Sequence, residues 1–444
     1  MSMPDFQPCY EFTGPNESVL LATRPASFSV DNMVYEGRGE VRLDLQPQAN
    51  IRIYGMFDNI PFPITAQCFS RQKEISSFAV GGKTIPGCAL SIGGDQEDQT
   101  MTLTWGPKSE PIIGTGDNTT STISYIVFHL FNFKDIIGTR RSAKAADGAT
   151  AALVDLESEE WQIEIKSLPN TDDSFKYLDE VGGFCLTNIG CLRRKDESTF
   201  DGKSAWHALD ALRYFFSFSR GCWCAPICSV GFDHAGNRVW ECWSSPKDDW
   251  HFFYSWFDRH HCEQLSALFP GFMTKWHDDN WREALREVIY WYLNGNNSSR
   301  GIDAGIILTQ AAIERLSYEY AVKDRRLMES DGFKKLIASD KYRLLFSSLG
   351  IPIDMPDTLS TMAKLAKQRN LIDSPHALTE IRNSLVHPEH KNHAQFHDAY
   401  FEAWRLGLWY LELALLRICG YSGSYSNRLT AKIVGQVEEV PWHQ

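Results

Sequence analysis

TEIRNSLVHPEH, residues 379–390, decides how the C-terminal half of the chain is read. Pro388 disfavours helical geometry at the residue before it, so a helix carrying Arg382 and Asn383 ends at His387. Asn383 stands four residues before His387, on its side of the helix, where an amide can fix the orientation of an imidazole. Arg382 is five residues from His387, about 140° around an ideal helix. A long arginine and a histidine at a relaxed helix end can still converge.

Outward from this stretch, apolar residues recur at three- and four-residue spacing almost to the C-terminus. The periodicity predicts helices over 280–293, 301–328, 332–348, 357–369, 375–387 and 395–419, with Pro352, Pro356, Pro375 and Pro388 at the breaks. Upstream the period changes. Glu40–Leu45, Asn50–Tyr54, Thr100–Trp105 and Trp161–Ile165 alternate apolar and polar residues as half-buried strands do. Ile123–Phe133 is a longer buried run, and Gly, Pro, Asn and Asp clusters punctuate the region. Between the two halves, Ser204–Phe218 reads as a helix and Cys224–Trp243 as a hairpin turning at Asp233–Asn237.

Arg, then Asn, then three apolar or small residues and His, on a helix of an all-α region, resembles the HEPN family of small helical RNases. The closing stretch Tyr421–Trp442, with Tyr425, Asn427-Arg428 and Val440-Pro441-Trp442, is similar to the tail of the ApeA-like anti-phage branch of that family. A strand-rich N-terminal domain before a C-terminal bundle is that branch's order as well. The succession of strands and then helices predicts an α+β multidomain chain, and the resemblance makes its bundle a HEPN bundle. The parts of the chain are a β-rich, sandwich or jelly-roll-like N-terminal domain (1–200), a mixed helix–hairpin connecting region (201–270) and an all-α HEPN bundle (271–444). The resemblance also implies catalysis by Arg382 and His387 with Asn383 in support, and a homodimer in which each protomer donates an Arg and a His to one cleft. Glu389 stands where the nucleotidyltransferase-paired HEPN toxins carry a Tyr, so that pairing is not implied.

The residue types suit RNA cleavage. RNA supplies its own nucleophile, the 2′-hydroxyl, so no metal or cofactor is required. An imidazole titrates near neutrality and can move protons. An arginine stays charged and grips phosphate oxygens through two donors. The expectation is a metal-independent endoribonuclease acting on RNA, tRNA included, in abortive-infection defence, with the N-terminal domain sensing a phage-derived trigger or regulatory protein. The alternative from another class is a non-catalytic dimer that binds RNA or protein through a degenerate HEPN bundle. Glu314, in an otherwise apolar helix, reads either as an orienting carboxylate for Arg382 or His387 or as a solvated charge paired to a neighbour.

Composition bounds these readings. The chain has 444 residues, 43% hydrophobic and 23% charged, a globular composition of about two or three domains. Its 44 Lys and Arg against 56 Asp and Glu leave a net charge of −12, which excludes a protein that coats nucleic acid nonspecifically. From Gly271 onward basic and acidic residues balance, 21 of each, so the acidic surplus belongs to the part before it. Neither a signal peptide nor a membrane-length apolar run is present, and the expected location is the cytoplasm. The 11 cysteines then read as thiols.

Three apparent motifs carry less. Cys222, Cys224, Cys228 and Cys242, with His251, alternate with apolar residues and read as core thiols rather than zinc ligands. His387, His390, His393 and His397 have no accompanying acidic or Cys ligand set and read as solvated. Gly81-Gly82-Lys83-Thr84 lacks the first glycine of a phosphate loop. The Trp-rich span Trp240–Trp256 holds Lys247 as its only Lys or Arg and reads as packing rather than a nucleic-acid groove.

Overall fold

The structure is a computed structural model that describes residues 3–95, 97–134, 136, 140–141, 152–169, 171–387, 396–430 and 433–442. It is an α+β multidomain chain with antiparallel sheets toward the N-terminus and a helical region toward the C-terminus. The chain forms two compact units. One comprises Met1–Phe133, Leu168–His207 and Pro226–His251; the other comprises Lys134–Ser167, Ala208–Ala225 and Phe252–Gln444.

The first unit opens with a seven-stranded antiparallel sheet. Its strands are β1 (Val19–Val30), β2 (Met33–Asp44), β3 (Asn50–Phe57), β4 (Ser77–Val80), β5 (Lys83–Thr84), β6 (Gly87–Asp95) and β7 (Thr100–Pro107), in the order β5-β4-β1-β2-β3-β7-β6. Helix α1 (Phe62–Phe69) links β3 to β4. The strands alternate as expected: β3 buries Ile51, Ile53 and Phe57, and β7 buries Met101, Leu103 and Trp105. Phe78 of β4 stacks on Trp105 of β7 with centroids 5.3 Å apart. In a flat sheet four strand spacings separate those strands by about 19 Å, so the sheet curls on itself around its aromatic residues. Gly81 and Gly82, at φ 56° and 77°, form the hairpin turn between β4 and β5. Lys83 then donates to Gly116 O at 2.5 Å, so this stretch is a turn and not a phosphate loop.

The rest of this unit holds β8 (Ile112–Ile113), β9 (Tyr125–Phe131), β13 (Leu186–Arg194), β14 (Ile227–Phe232) and β15 (Arg238–Trp243), running β13-β9-β14-β15-β8, with α2 (Thr171–Val181) before β13. The β14–β15 hairpin turns at the expected Asp233–Asn237. Trp240 and Trp243 are buried here, the packing role read from the Trp-rich span. Arg24 of β1 donates to Glu241 Oε2 and Thr115 Oγ1 at 2.6 Å each.

His129 of β9 is fully buried. Its Nε2 accepts the Cys9 N–H at 3.0 Å, and Nδ1 faces the Ile227 and Cys228 carbonyls at 3.3 and 3.1 Å, so Nδ1 carries the proton. Burial pushes its pKa down to about 4. An unfolded histidine takes up its proton near pH 6.5. The stability from a neutral His129 is therefore complete above that value and lost as pH falls from about 6.5 to about 4, roughly 3 kcal/mol in all. Urea unfolding at pH 7 and pH 4.5 checks this: wild type is expected to lose about 2 kcal/mol more than His129→Gln. Equal losses in both would contradict it.

The second unit contains the ribbon β10 (Arg140–Arg141), β11 (Ala152–Glu157) and β12 (Trp161–Ser167). Helix α3 (Gly202–Arg220) passes into it at Ala208. Its main body is α4 (Glu263–His277), α5 (Asp279–Asn296), α6 (Ile302–Tyr318), α7 (Ser330–Lys335), α8 (Ala338–Leu349), α9 (Ser360–Arg369), α10 (Ser374–Val386) and α11 (Tyr400–Ile418). Two expected helices are interrupted. The 301–328 helix leaves α geometry after Tyr318 and continues as a π-helix over Glu319–Asp324. The 332–348 helix is two, because Leu336 and Ile337 are extended, at ψ 139° and 159°.

Helix α4 runs through Pro270 and Gly271. A Cβ at Gly271 would lie 1.7 Å from Cys419 O, so the absence of a side chain there lets two backbones meet. Alanine in place of a helical glycine usually stabilises by about 0.5–1 kcal/mol. Gly271→Ala is expected to destabilise by about 2–3 kcal/mol instead, read as a lower thermal midpoint; a higher one would contradict the packing.

Short strands β16 (Ser424–Tyr425) and β17 (Glu438–Glu439) pair in the tail. Arg428 from this tail reaches the core, where Nη2 and Nε donate to the Glu412 carboxylate at 2.5 and 2.9 Å. Tyr292 donates to the same carboxylate at 2.6 Å, and Asn296 accepts from Arg428 at 3.1 Å.

Candidate active site at the end of α10

Two ends fix α10 in place. At its start Asp373 accepts the His376 N–H at 2.9 Å as an N-cap, and Pro375 occupies the first turn, where a missing N–H costs nothing. The same carboxylate receives Nε and Nη2 of Arg343 in α8 at 2.6 and 3.0 Å, a two-point grip that ties the helices together. Along its length Ala377, Leu378, Ile381 and Ser384 form the buried stripe. Gln310 of α6 donates to Leu378 O at 2.8 Å, and Tyr342 of α8 donates to Gln310 O at 3.0 Å. Helices α6, α8 and α10 are thus linked by one buried hydrogen-bonded chain.

Helix α10 ends at Val386, and His387 is extended at φ −109°, ψ 109°, as Pro388 leads one to expect. The His387 N–H donates to Asn383 O at 3.0 Å, and its side chain is exposed, whereas Arg382 and Asn383 are half-buried. Because His387 has left helical geometry, the 140° separation from Arg382 does not bind its ring. Arg382 acts electrostatically on Tyr342. Burial pushes that phenol up most and Glu314 adds to the rise, while Arg382 pulls it down.

Glu314 accepts a hydrogen bond from Lys341 of α8, a charge paired with a neighbouring helix. Pro388, Glu389, His390 and His393 lie outside the described residues; His397 sits in the short 3-10 turn His397–Ala399. Cys222, Cys224, Cys228 and Cys242 are buried thiols, and burial pushes Cys242 up to about 12. Among the described residues no group of three or more His, Cys, Asp or Glu side chains is placed to hold a metal ion.

Gln310 and Tyr342 escaped the sequence reading. The available signal was a lone amide inside the apolar stripe from Ile306 to Ile313, where a buried polar group needs partners. Which helix supplies them depends on the tertiary arrangement. No helix among the described residues is long and apolar enough to cross a membrane.

Two family models match the chain: the YopA central domain over residues 118–253 and the YopA C-terminal domain over residues 278–439. Arg382, Asn383 and His387 fall inside the second match. The chain is 26% identical over 441 residues to the SPbeta prophage-derived uncharacterized protein YopA of Bacillus subtilis (strain 168), with 96% of this chain and 95% of that protein covered. No solved structure matches the chain.

Proposed function

We propose that the C-terminal helical region is a HEPN-type endoribonuclease that cleaves RNA without a metal, using Arg382 and His387 with Asn383 as the positioning residue. The observation that carries this reading is the end of α10. His387 steps out of the helix into solvent immediately after the turn that holds Arg382 and Asn383, leaving an imidazole and a guanidinium on one short segment. In the proposed reaction one imidazole takes the proton of a ribose 2′-hydroxyl, and the oxygen attacks the adjacent phosphorus. The 5′-oxygen leaves with a proton given by the second, protonated imidazole of the site, giving a 2′,3′-cyclic phosphate and a 5′-hydroxyl. Arg382 holds the phosphate oxygens as charge builds on them. Two protomers meeting at this end would supply two such pairs, so the active form is a homodimer.

On this reading the acidic N-terminal part senses a phage-derived or regulatory partner, and the protein works in the cytoplasm. The prophage origin in the relative's name fits a role in conflict between phage and host. The test is incubation of purified protein with total RNA and with tRNA in the presence of a chelator. Cleavage by wild type that His387→Ala lacks is the expected result. Cleavage by neither would leave the non-catalytic binding dimer as the better account, and equal cleavage by both would remove His387 from the chemistry.

A further inference from the structure

The seven-stranded sheet of the first unit has one long free edge. Strand β6 pairs with β7 along Gly87–Asp95, and among the described residues no strand pairs with its other side. Every residue of β6 is exposed or half-exposed. Folded proteins usually blunt such an edge with Lys, Pro or a covering segment, because its unpaired N–H and C=O groups recruit another strand. Here helix α1 lies against the Asp95 end, with Thr65 beside Gly94, and the rest of the strand stays open. A bulge falls between Ala89 and Ser91, and it leaves Leu90 54% exposed. A groove of about 550 Å³ runs beside Gly87–Ile92, walled opposite by Phe69, Arg71, Glu74 and Ile75. Phe69 is 71% exposed.

The charges along this edge are distributed by end. Lys108 stands at the Gly87 end, its N–H bonded to Pro86 O at 2.8 Å, and its ammonium has no carboxylate partner among the described residues. Asp95, Glu97 and Asp98 crowd the opposite end, where Asp95 caps the turn by accepting the Glu97 and Asp98 N–H groups. The groove wall carries one charge of each sign in Arg71 and Glu74, and Lys73 is paired with Asp31 at 2.6 Å. A strand that is basic at one end and acidic at the other is complementary to itself when turned antiparallel.

We propose that β6 is a dimerisation edge whose occupant is β6 of a second copy of this chain, paired antiparallel about a two-fold axis at Ser91. A two-fold contact uses one patch twice. Centring it on Ser91 pairs the full strand, sets Gly87 against Asp95 of the other copy, and brings each Lys108 to the other copy's acidic turn. Leu90 then meets Ile92 of the other copy on both sides of the axis, and such cross-strand apolar pairs stabilise a ladder. Nine paired residues bury less than a standard interface, so the association is weak and concentration-dependent. This contact is independent of the bundle pairing proposed above.

Disulfide trapping tests it. Cys88 is the exposed cysteine of the chain; Cys9 is half-buried and the others are buried. In a Cys88→Ser background, Ser91→Cys places two thiols opposite each other at the axis, within disulfide reach. Mild oxidation is expected to convert most of the full-length protein to a covalent dimer. Lys108→Glu in that background is expected to slow trapping about tenfold, and adding Glu97→Lys with Asp98→Lys to restore it. No dimer, or a trapping rate indifferent to these charges, would overturn the proposal. Circular dichroism of each variant establishes that it is folded, and neither result depends on RNA cleavage.

Discussion

Replacing His387 by alanine is expected to slow RNA cleavage by about 10²–10⁴-fold, the usual worth of a positioned acid or base, with almost no loss of stability. The two effects separate because the His387 side chain is exposed beyond the end of α10, so its removal uncovers no core. Arg382→Ala is expected to cost about 10²–10³-fold by the loss of charge stabilisation on the phosphate. Arg382→Lys recovers part of this but not all, since an ammonium cannot grip two phosphate oxygens in the plane of a guanidinium. Asn383→Ala leaves its backbone carbonyl to accept the His387 N–H and removes only the amide. Its effect is accordingly smaller, about tenfold, in kcat rather than KM. Single-turnover kinetics on one RNA with all four variants, beside their thermal midpoints, checks the set. A His387→Ala protein as active as wild type would remove the imidazole from the chemistry.

The largest stability effect is expected at Arg428. Its side chain and that of Glu412 are 2% and 0% exposed, and Arg428→Ala strands a carboxylate in the core beside Tyr292. Removing one partner of a buried pair costs about 3–5 kcal/mol, which in a unit of this size lowers the midpoint by roughly ten degrees. The pair itself is not the source of that stability. Arg428→Met with Glu412→Leu removes both charges and is expected to recover most of the loss. The measurement is chemical unfolding of wild type, both single variants and the double. A single variant within about 1 kcal/mol of wild type would mean that water reaches the carboxylate.

Periodicity made the helical region legible. The expected 280–293 helix is α5, Asp279–Asn296, and the 395–419 helix contains α11, Tyr400–Ile418. Both carry long apolar stripes with clear ends. Where the stripe continues but the hydrogen bonding changes, as at Glu319–Asp324, an apolar period cannot tell α from π. Helix α4 stayed hidden because Pro270-Gly271 reads as a break, although its close approach to Cys419 needs that glycine. Helix α1 is eight residues with Pro63 in its first turn, too short for its period to stand out. At the candidate site, Pro388 made the helix end legible from local sterics alone. Gln310, Tyr342 and the Arg343–Asp373 pair were not legible, because their meaning lies in which helices are neighbours.

On the proposed mechanism RNA is cut by its own 2′-hydroxyl under the action of His387 and Arg382. The most direct test uses two RNA oligonucleotides in the presence of a chelator, identical except for a 2′-O-methyl group on the nucleotide 5′ to the cut. The unmodified strand is expected to yield a 2′,3′-cyclic phosphate and a 5′-hydroxyl, and the methylated linkage to stay intact. Cutting at the methylated linkage, or no cutting of the unmodified strand, would contradict the account.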